Sequence, residues 1–375
     1  MDFQPIVDYI EEYFRSEKGI PSCDIRIMQD HKELFRYHSG HSDADGKNDI
    51  NGDELYDLYS CTKPMTCTAA LQLVEKGVIG LDEPVYKYLH EYKNAFVIKN
   101  GKAVTVGEKM TIRQLFMMAG GLDYDLWKAP LRELIAKNPH AGTVELVNTF
   151  VKVPLFDEPG QRFNYSLCHD VLAAVVEVAS GKRFSEYLRD NIWEPLGMKR
   201  TSFGFKDDGK STFCTRYCYA NGKMEVDTNP NVYALTDNYE SGGAGITTCV
   251  HDYSLFADAM ACGGVGSSGN RIIKPETIDL MRTEQLSTHI SIPEPLFEGY
   301  GYALGVRTLV NKSAGAKSPL GEFGWDGAAG SYILMDPENH LSIFFAMNVL
   351  GWFELMNGRT GHYGLRDRTY EILGL

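Results

Sequence analysis

The sequence has no apolar run long enough to span a bilayer, since no stretch of about 18 apolar residues occurs in its 375 positions. It also lacks positive charge. Lys and Arg number 37 against 50 Asp and Glu, a net charge of −13. An acidic surface repels phosphate backbones, so neither nucleic acid nor membrane is expected as a partner. The first residues, MDFQPIVDYIEEYF, show no basic start and no apolar leader, which predicts a cytoplasmic protein. The eight cysteines include no C-x-x-C pair and read as free thiols in a reducing compartment. Cys214 and Cys218 have a metal-like spacing with no second pair to complete it. His38, His41, Asp43 and Asp45 match no zinc pattern. No metal or cofactor is expected. The G-x-S-x-G elbow is absent, which argues against an α/β-hydrolase.

What is present is a globular composition, 43% apolar and 23% charged, in a chain long enough to bury a large core. Phe3–Phe14 has helical spacing through Ile6, Tyr9, Ile10 and Tyr13. Asp24–Met28 and Leu34–His38 read as two strands around the turn Gln29–Lys32. Thr62–Lys76 is an apolar helix stopped by Gly77. From Leu89 to about Met198 the pattern is mostly helical. Tyr332–Met335 and Leu341–Met347 form a late hairpin, and Leu365–Leu373 a final helix. Short connections imply antiparallel pairing. The economical fold is α+β: one antiparallel sheet flanked by helices, plus a helical lobe, with a site in the cleft between them. The expected division is 1–85 with 215–375 as the α/β lobe and 86–214 as an inserted, mostly helical lobe.

The chemistry centres on Ser60–Cys61–Thr62–Lys63. Residues three apart on a first helical turn face the same way, which puts an amine beside a hydroxyl. Serine is a poor nucleophile until a base takes its proton. Lysine can act as that base only when neutral, and burial lowers its pKa in that direction. Roughly one S-x-x-K is expected by chance in a chain of this length. The context adds weight: a strand-like segment leads in, Pro64 sits in the first turn where proline is tolerated, and an apolar helix follows.

Five segments in order carry a resemblance: YSCTKPMTCTAALQLVEKGVIGLDEPVYKYL, MTIRQLFMMAGGLDYD, EPGQRFNYSLCHDVLAAVVEVASGKRFSEYLRDNIWEPLGMKRTSF, SGGAGITTCVHDYSLFADAM and FGWDGAAGSYILMDPENHLSIFFAMN. Together they resemble the serine β-lactamase and penicillin-binding-protein superfamily over nearly the whole chain. The likeness is greatest to the class C β-lactamase-like branch that includes the family VIII carboxylesterases. It implies a β-lactamase-like fold, with Ser60 as nucleophile, Lys63 as its activator and Tyr165 of Tyr165–Ser166–Leu167 as partner base or proton donor. It also implies an oxyanion hole made by the backbone N–H groups of Ser60 and Ala328. The third motif, usually K-T-G in β-lactamases, is here Trp325–Asp326–Gly327. A tryptophan cannot pair with an anion, so the departure points to neutral esters. Asp326, if it faces the cleft, pushes the same way. Gly327 is expected to let substrate approach the strand closely. Trp325, Tyr124 and Trp127, with Trp352 and Phe353, are candidate linings of an apolar acyl or aryl pocket.

The residues therefore predict a serine hydrolase that cleaves small or medium carboxylic esters through a Ser60 acyl-enzyme. A β-lactamase or D,D-peptidase-like amide hydrolase, an acyltransferase sharing the acyl-enzyme, and a non-catalytic binding scaffold are the alternatives. The small-molecule partner is an ester or an amide.

Overall fold

In a computed structural model, residues 1–204, 212–286, 290, 299–313 and 315–375 are described. The main elements are α1 (Gln4–Tyr9, continued by a wider turn over Ile10–Glu17), β1 (Ser22–Gln29), β2 (Lys32–Gly40), β3 (Leu55–Asp57) and α2 (Thr62–Glu75). They continue with α3 (Cys168–Ser180), β4 (Ser202–Phe203), β5 (Ile246–Cys249) and α4 (Val250–Ala261). The C-terminal part supplies β6 (Tyr300–Tyr302), β7 (Arg307–Leu309), β8 (Phe323–Asp326), β9 (Tyr332–Asp336), β10 (Leu341–Ala346) and α5 (Thr360–Leu373).

Seven strands form one antiparallel sheet in the order β6-β7-β8-β9-β10-β1-β2. It joins the two ends of the chain through the β1–β10 pair, with Ile25 opposite Phe345. The central strands are buried on both faces because helices cover both. Side chains alternate across a strand. Leu341, Ile343 and Phe345 of β10 accordingly enter one core with Ile6, Ile10, Phe14 and Leu365 from the terminal helices. Phe344 and Ala346 enter the other, with Val250, Tyr253 and Phe256 of α4. A small sheet, β3-β5-β4, lies beside the start of α2.

Helix α2 is the axis on which the site is built. Thr62 through Leu73 are all buried, and the polar Thr66, Thr68 and Gln72 among them donate to backbone carbonyls. Burial of Met65, Leu71 and Leu73 stabilises it by about 1.5–3 kcal/mol each. It packs against α3, whose Val171–Val176 are also buried and which ends at Gly181 with φ 70°.

The central block carries short strands among its helices. Phe96–Lys99 and Lys102–Thr105 form a hairpin around Asn100 and Gly101, with φ 50° and 73°. Asn-Gly is the residue pair such a two-residue turn favours. Strand β4 also comes from within 86–214, and it pairs with β5. Thr111 caps a short helix, Ile112–Phe116, with a full capping box on Gln114.

Candidate active site

The segment entering Ser60 is held from two sides. Leu58 N–H donates to the Ile246 carbonyl at 2.9 Å, and Ser331 Oγ donates to the Leu58 carbonyl at 3.0 Å. Tyr59 then takes φ 45°. A left-handed conformation costs a tyrosine on the order of 1–3 kcal/mol unless packing holds it. Here Tyr59 is buried with Ala244 and Ala329 and meets Tyr233 edge-on at 6.3 Å. The next residue, Ser60, is partly exposed at the head of α2, while Cys61 and Lys63 are wholly buried.

Lys63 lies one helical turn after Ser60. Its Nζ is 3.0 Å from Ser60 Oγ, 2.9 Å from Tyr124 Oη and 2.8 Å from the Gly243 carbonyl. These three neighbours match its hydrogen-bonding capacity. Burial lowers its pKa from 10.5 to about 7, with Asp170 opposing the shift. Tyr165, just before α3, donates its hydroxyl to Ser60 Oγ at 2.7 Å, and its ring lies 4.6 Å from Lys63 Nζ. Burial raises the Tyr165 phenol above its usual range, opposed by its hydrogen bonds with Ser60, Trp325 and Tyr124. It is therefore a neutral phenol near pH 7, beside a lysine poised between its two forms.

Ser60, Lys63 and Tyr165 thus converge. Trp325, on β8, is 5% exposed and donates its indole N–H to Tyr165 Oη at 3.1 Å. Its ring stacks on Tyr165 at 5.7 Å. Tyr124, expected as a pocket lining, instead contacts Lys63 directly and packs on Tyr165 at 5.5 Å. Trp127 is 77% exposed, with the Arg132 guanidinium 4.6 Å from its ring centre. Trp352 is buried and donates to the Gly327 carbonyl at 2.9 Å, while Phe353 is exposed.

Two expectations at the third motif change. A Cβ on Gly327 would stand 2.1 Å from Ser331 Oγ and 2.3 Å from the Leu58 carbonyl. The close approach at this glycine is therefore made by Ser331 and by the segment that leads into Ser60. Gly327 opens a tight turn, its N–H donating to the Ser331 carbonyl at 2.7 Å, and Ala328 is exposed beside it. Asp326 does not offer a negative charge to the cleft. It is buried against Arg307 at 3.2 Å, Arg359 at 2.8 Å and His362 Nδ1 at 3.0 Å. Burial alone would raise its pKa, but the two guanidinium groups outweigh that and hold the carboxyl well below its usual range. A buried carboxylate stays ionised only when paired in this way.

Asp170, on α3, was not singled out from the sequence. Its Oδ1 accepts from Tyr239 Oη at 2.7 Å and Ser241 Oγ at 2.6 Å. A Cβ on Gly243 would lie 2.6 Å from Asp170 Oδ2 and 3.6 Å from Lys63 Nζ, so the acid and the amine flank this glycine. The only hint was an acid five residues after Tyr165, in the first turn of the helix that follows. A cavity of about 1270 Å³ lined by Tyr233, Arg183, Trp193, Phe203 and Arg216 includes none of Ser60, Lys63 or Tyr165.

A seven-stranded antiparallel sheet with a serine, lysine and tyrosine gathered at the head of a buried helix defines a β-lactamase-fold serine hydrolase or acyltransferase. The chain belongs to the beta-lactamase family, whose model matches residues 7–364. It is similar to Esterase EstB of Burkholderia gladioli, 27% identical over 376 residues, 92% of this chain and 90% of that protein. It is also similar to Acyltransferase calJ of Penicillium decumbens, 26% identical over 351 residues, 86% of this chain and 82% of that one. Among solved structures it resembles EstCE1, described as a hydrolase with promiscuous acyltransferase activity, with TM-score 0.80, 24% identity and coverage of 98% and 99% of the two chains. Among the described residues no helix is long and apolar enough to cross a membrane.

Proposed function

We propose that the protein hydrolyses neutral carboxylic esters of small or medium size through an acyl-enzyme on Ser60. The observation that carries this reading is Ser60 Oγ held between Lys63 Nζ at 3.0 Å and Tyr165 Oη at 2.7 Å, with the lysine pKa lowered to about 7 by burial. Neutral Lys63 takes the Ser60 proton as Oγ attacks the ester carbonyl. Tyr165, with its raised pKa, serves as relay and as proton donor to the leaving alcohol. The backbone N–H groups of Ser60 and Ala328 receive the oxyanion. Such donors are worth roughly 3–4 kcal/mol each. Water, activated by the same pair, then releases the acid.

The preference for neutral esters rests on Trp325, which puts an indole N–H on Tyr165 where a β-lactamase carries a cation. Asp326 adds nothing to that preference, because its charge is neutralised within the fold. Gly327 serves the oxyanion turn by letting it sit against Leu58. Trp127 supplies an exposed aromatic surface for an acyl or aryl group. A small-molecule ester is the expected substrate. The eight free cysteines fit a reducing cytoplasm.

The test is intact mass after treatment with a fluorophosphonate, for wild type and Ser60→Ala, beside turnover of p-nitrophenyl esters and nitrocefin. One adduct on wild type, none on Ser60→Ala, and ester turnover well above nitrocefin turnover are expected. An unlabelled wild type would remove Ser60 as nucleophile, and fast nitrocefin hydrolysis without ester turnover would reverse the substrate preference. The likeness to an acyltransferase over 86% of the chain favours a second reading, in which an alcohol replaces water in deacylation. Added alcohol acceptors would then yield new esters at the expense of free acid.

A further inference from the structure

The β1–β2 hairpin turns through Asp30 and His31 with φ 48° and 62°. A two-residue turn of this kind favours Asn-Gly or Asp-Gly, so histidine in the place of glycine is a poor local choice. A tertiary contact supports it. The His31 N–H donates to Asp258 Oδ1 at 3.2 Å, and His31 Nδ1 lies 2.8 Å from Asp258 Oδ2. Asp258 stands in the last turn of α4, and Cys262 caps that helix one turn later, with its Sγ 3.8 Å from Asp258 Oδ1. The imidazole nitrogen, the carboxylate oxygen and the thiol sulfur all lie within 4.8 Å of one another.

We propose that His31, Asp258 and Cys262 bind a divalent transition metal of the zinc class, outside the Ser60 site. The donor set is the first reason. One nitrogen, one oxygen and one sulfur suit zinc or cobalt, whereas calcium and magnesium take oxygen ligands. The second is geometry. Tetrahedral bonds of about 2.0–2.3 Å put neighbouring ligand atoms roughly 3.3–3.7 Å apart. One donor atom from each of the three residues lies within 4.8 Å of the other two, so modest side-chain rotations bring them to that span. The third is charge. The Asp258 side chain is 1% exposed, and its ion-pair partner among the described residues is His31. The site sits at the C-terminal, negative end of α4, where a cation is favoured. Asp30, paired with His340 at 2.8 Å, adds to that field. Access is open, because the His31 side chain is 32% exposed. A solvent water would complete four-coordination. The metal would clamp the hairpin tip to the helix end.

The test uses the full-length protein titrated with Co²⁺, followed by competition with Zn²⁺. A single equivalent is expected to give the visible bands of tetrahedral cobalt and a near-ultraviolet thiolate-to-cobalt band, both removed by Zn²⁺. Cys262→Ser is expected to lose the thiolate band, Cys218→Ser to keep it, and His31→Gln to weaken Zn²⁺ binding at least tenfold. Zn²⁺ should raise the melting temperature of wild type but not of His31→Gln, a readout that holds even if Cys262→Ser folds poorly. A wild type giving no cobalt spectrum, or a His31→Gln protein binding Zn²⁺ as tightly as wild type, would overturn the assignment.

Discussion

Lys63 should leave its mark on both the rate and the stability of this enzyme, with opposite reasons and a common pH range. It is fully buried, and its pKa falls from 10.5 in the free chain to about 7 in the fold. If neutral Lys63 is the base, kcat/KM on a p-nitrophenyl ester follows the neutral fraction. That fraction is about one tenth at pH 6 and about nine tenths at pH 8, so activity should climb roughly tenfold between them. For stability, the unfolded chain holds the lysine proton between pH 7 and 10.5 while the folded chain has released it. The unfolded state therefore binds more protons there, and stability rises with pH. Each pH unit in that interval is worth about 1.4 kcal/mol. Lys63→Met keeps an apolar stem of similar length and removes the titration. The difference in unfolding free energy between wild type and Lys63→Met should move by about 2 kcal/mol in favour of wild type from pH 7 to pH 9. Urea melts at the two pH values give that difference, and groups common to both proteins cancel in it. A flat kcat/KM from pH 6 to 8, or a stability difference independent of pH, would refute a buried, poised Lys63.

Three other substitutions probe the surroundings. Asp170→Asn keeps an acceptor for Tyr239 and Ser241 but removes the charge that raises the Lys63 pKa, so the midpoint of the pH–rate profile should move to lower pH; an unmoved or raised midpoint would count against the coupling. Trp325→Phe retains a ring to stack on Tyr165 and loses the 3.1 Å hydrogen bond, which at about 0.5–1.5 kcal/mol lowers kcat about two- to thirteenfold in steady-state assays. Gly327→Ala drives a methyl into the Leu58 carbonyl, a backbone atom that cannot rotate away. Activity should fall at least about a hundredfold and thermal melts should show a loss of about 1–3 kcal/mol; near-normal turnover would mean the turn has more room than the geometry allows.

Much of the scaffold was legible because it is local. The strands on either side of Asp30–His31 follow from alternation and a short turn, those flanking Asp336–Asn339 from apolar runs and a short turn, and both hairpins lie where their residues put them. The hairpin at Asn100–Gly101 carried an equally strong turn signal but sat inside a block whose apolar spacing read as helical. Tyr59 gave no signal at all. A left-handed tyrosine is unfavourable by itself, and only the packing of Ala244, Ala329 and Tyr233 around it supports that conformation. Asp326 was misplaced for a related reason. Arg307, Arg359 and His362 reach it from 19, 33 and 36 residues away along the chain, and no local pattern announces such a cluster.

The spacing of Ser60 and Lys63 was settled by the sequence, since three residues on a helix bring two side chains together whatever surrounds them. The protonation of Lys63 was decided only by the tertiary structure. It depends on water being excluded, on the Tyr124 hydroxyl and the Gly243 carbonyl arriving from distant segments, and on how near Asp170 comes. Desolvation and charge are properties of the space around a group. Residues far apart in the chain fill that space, so the identity of the lysine was local while its chemistry was not.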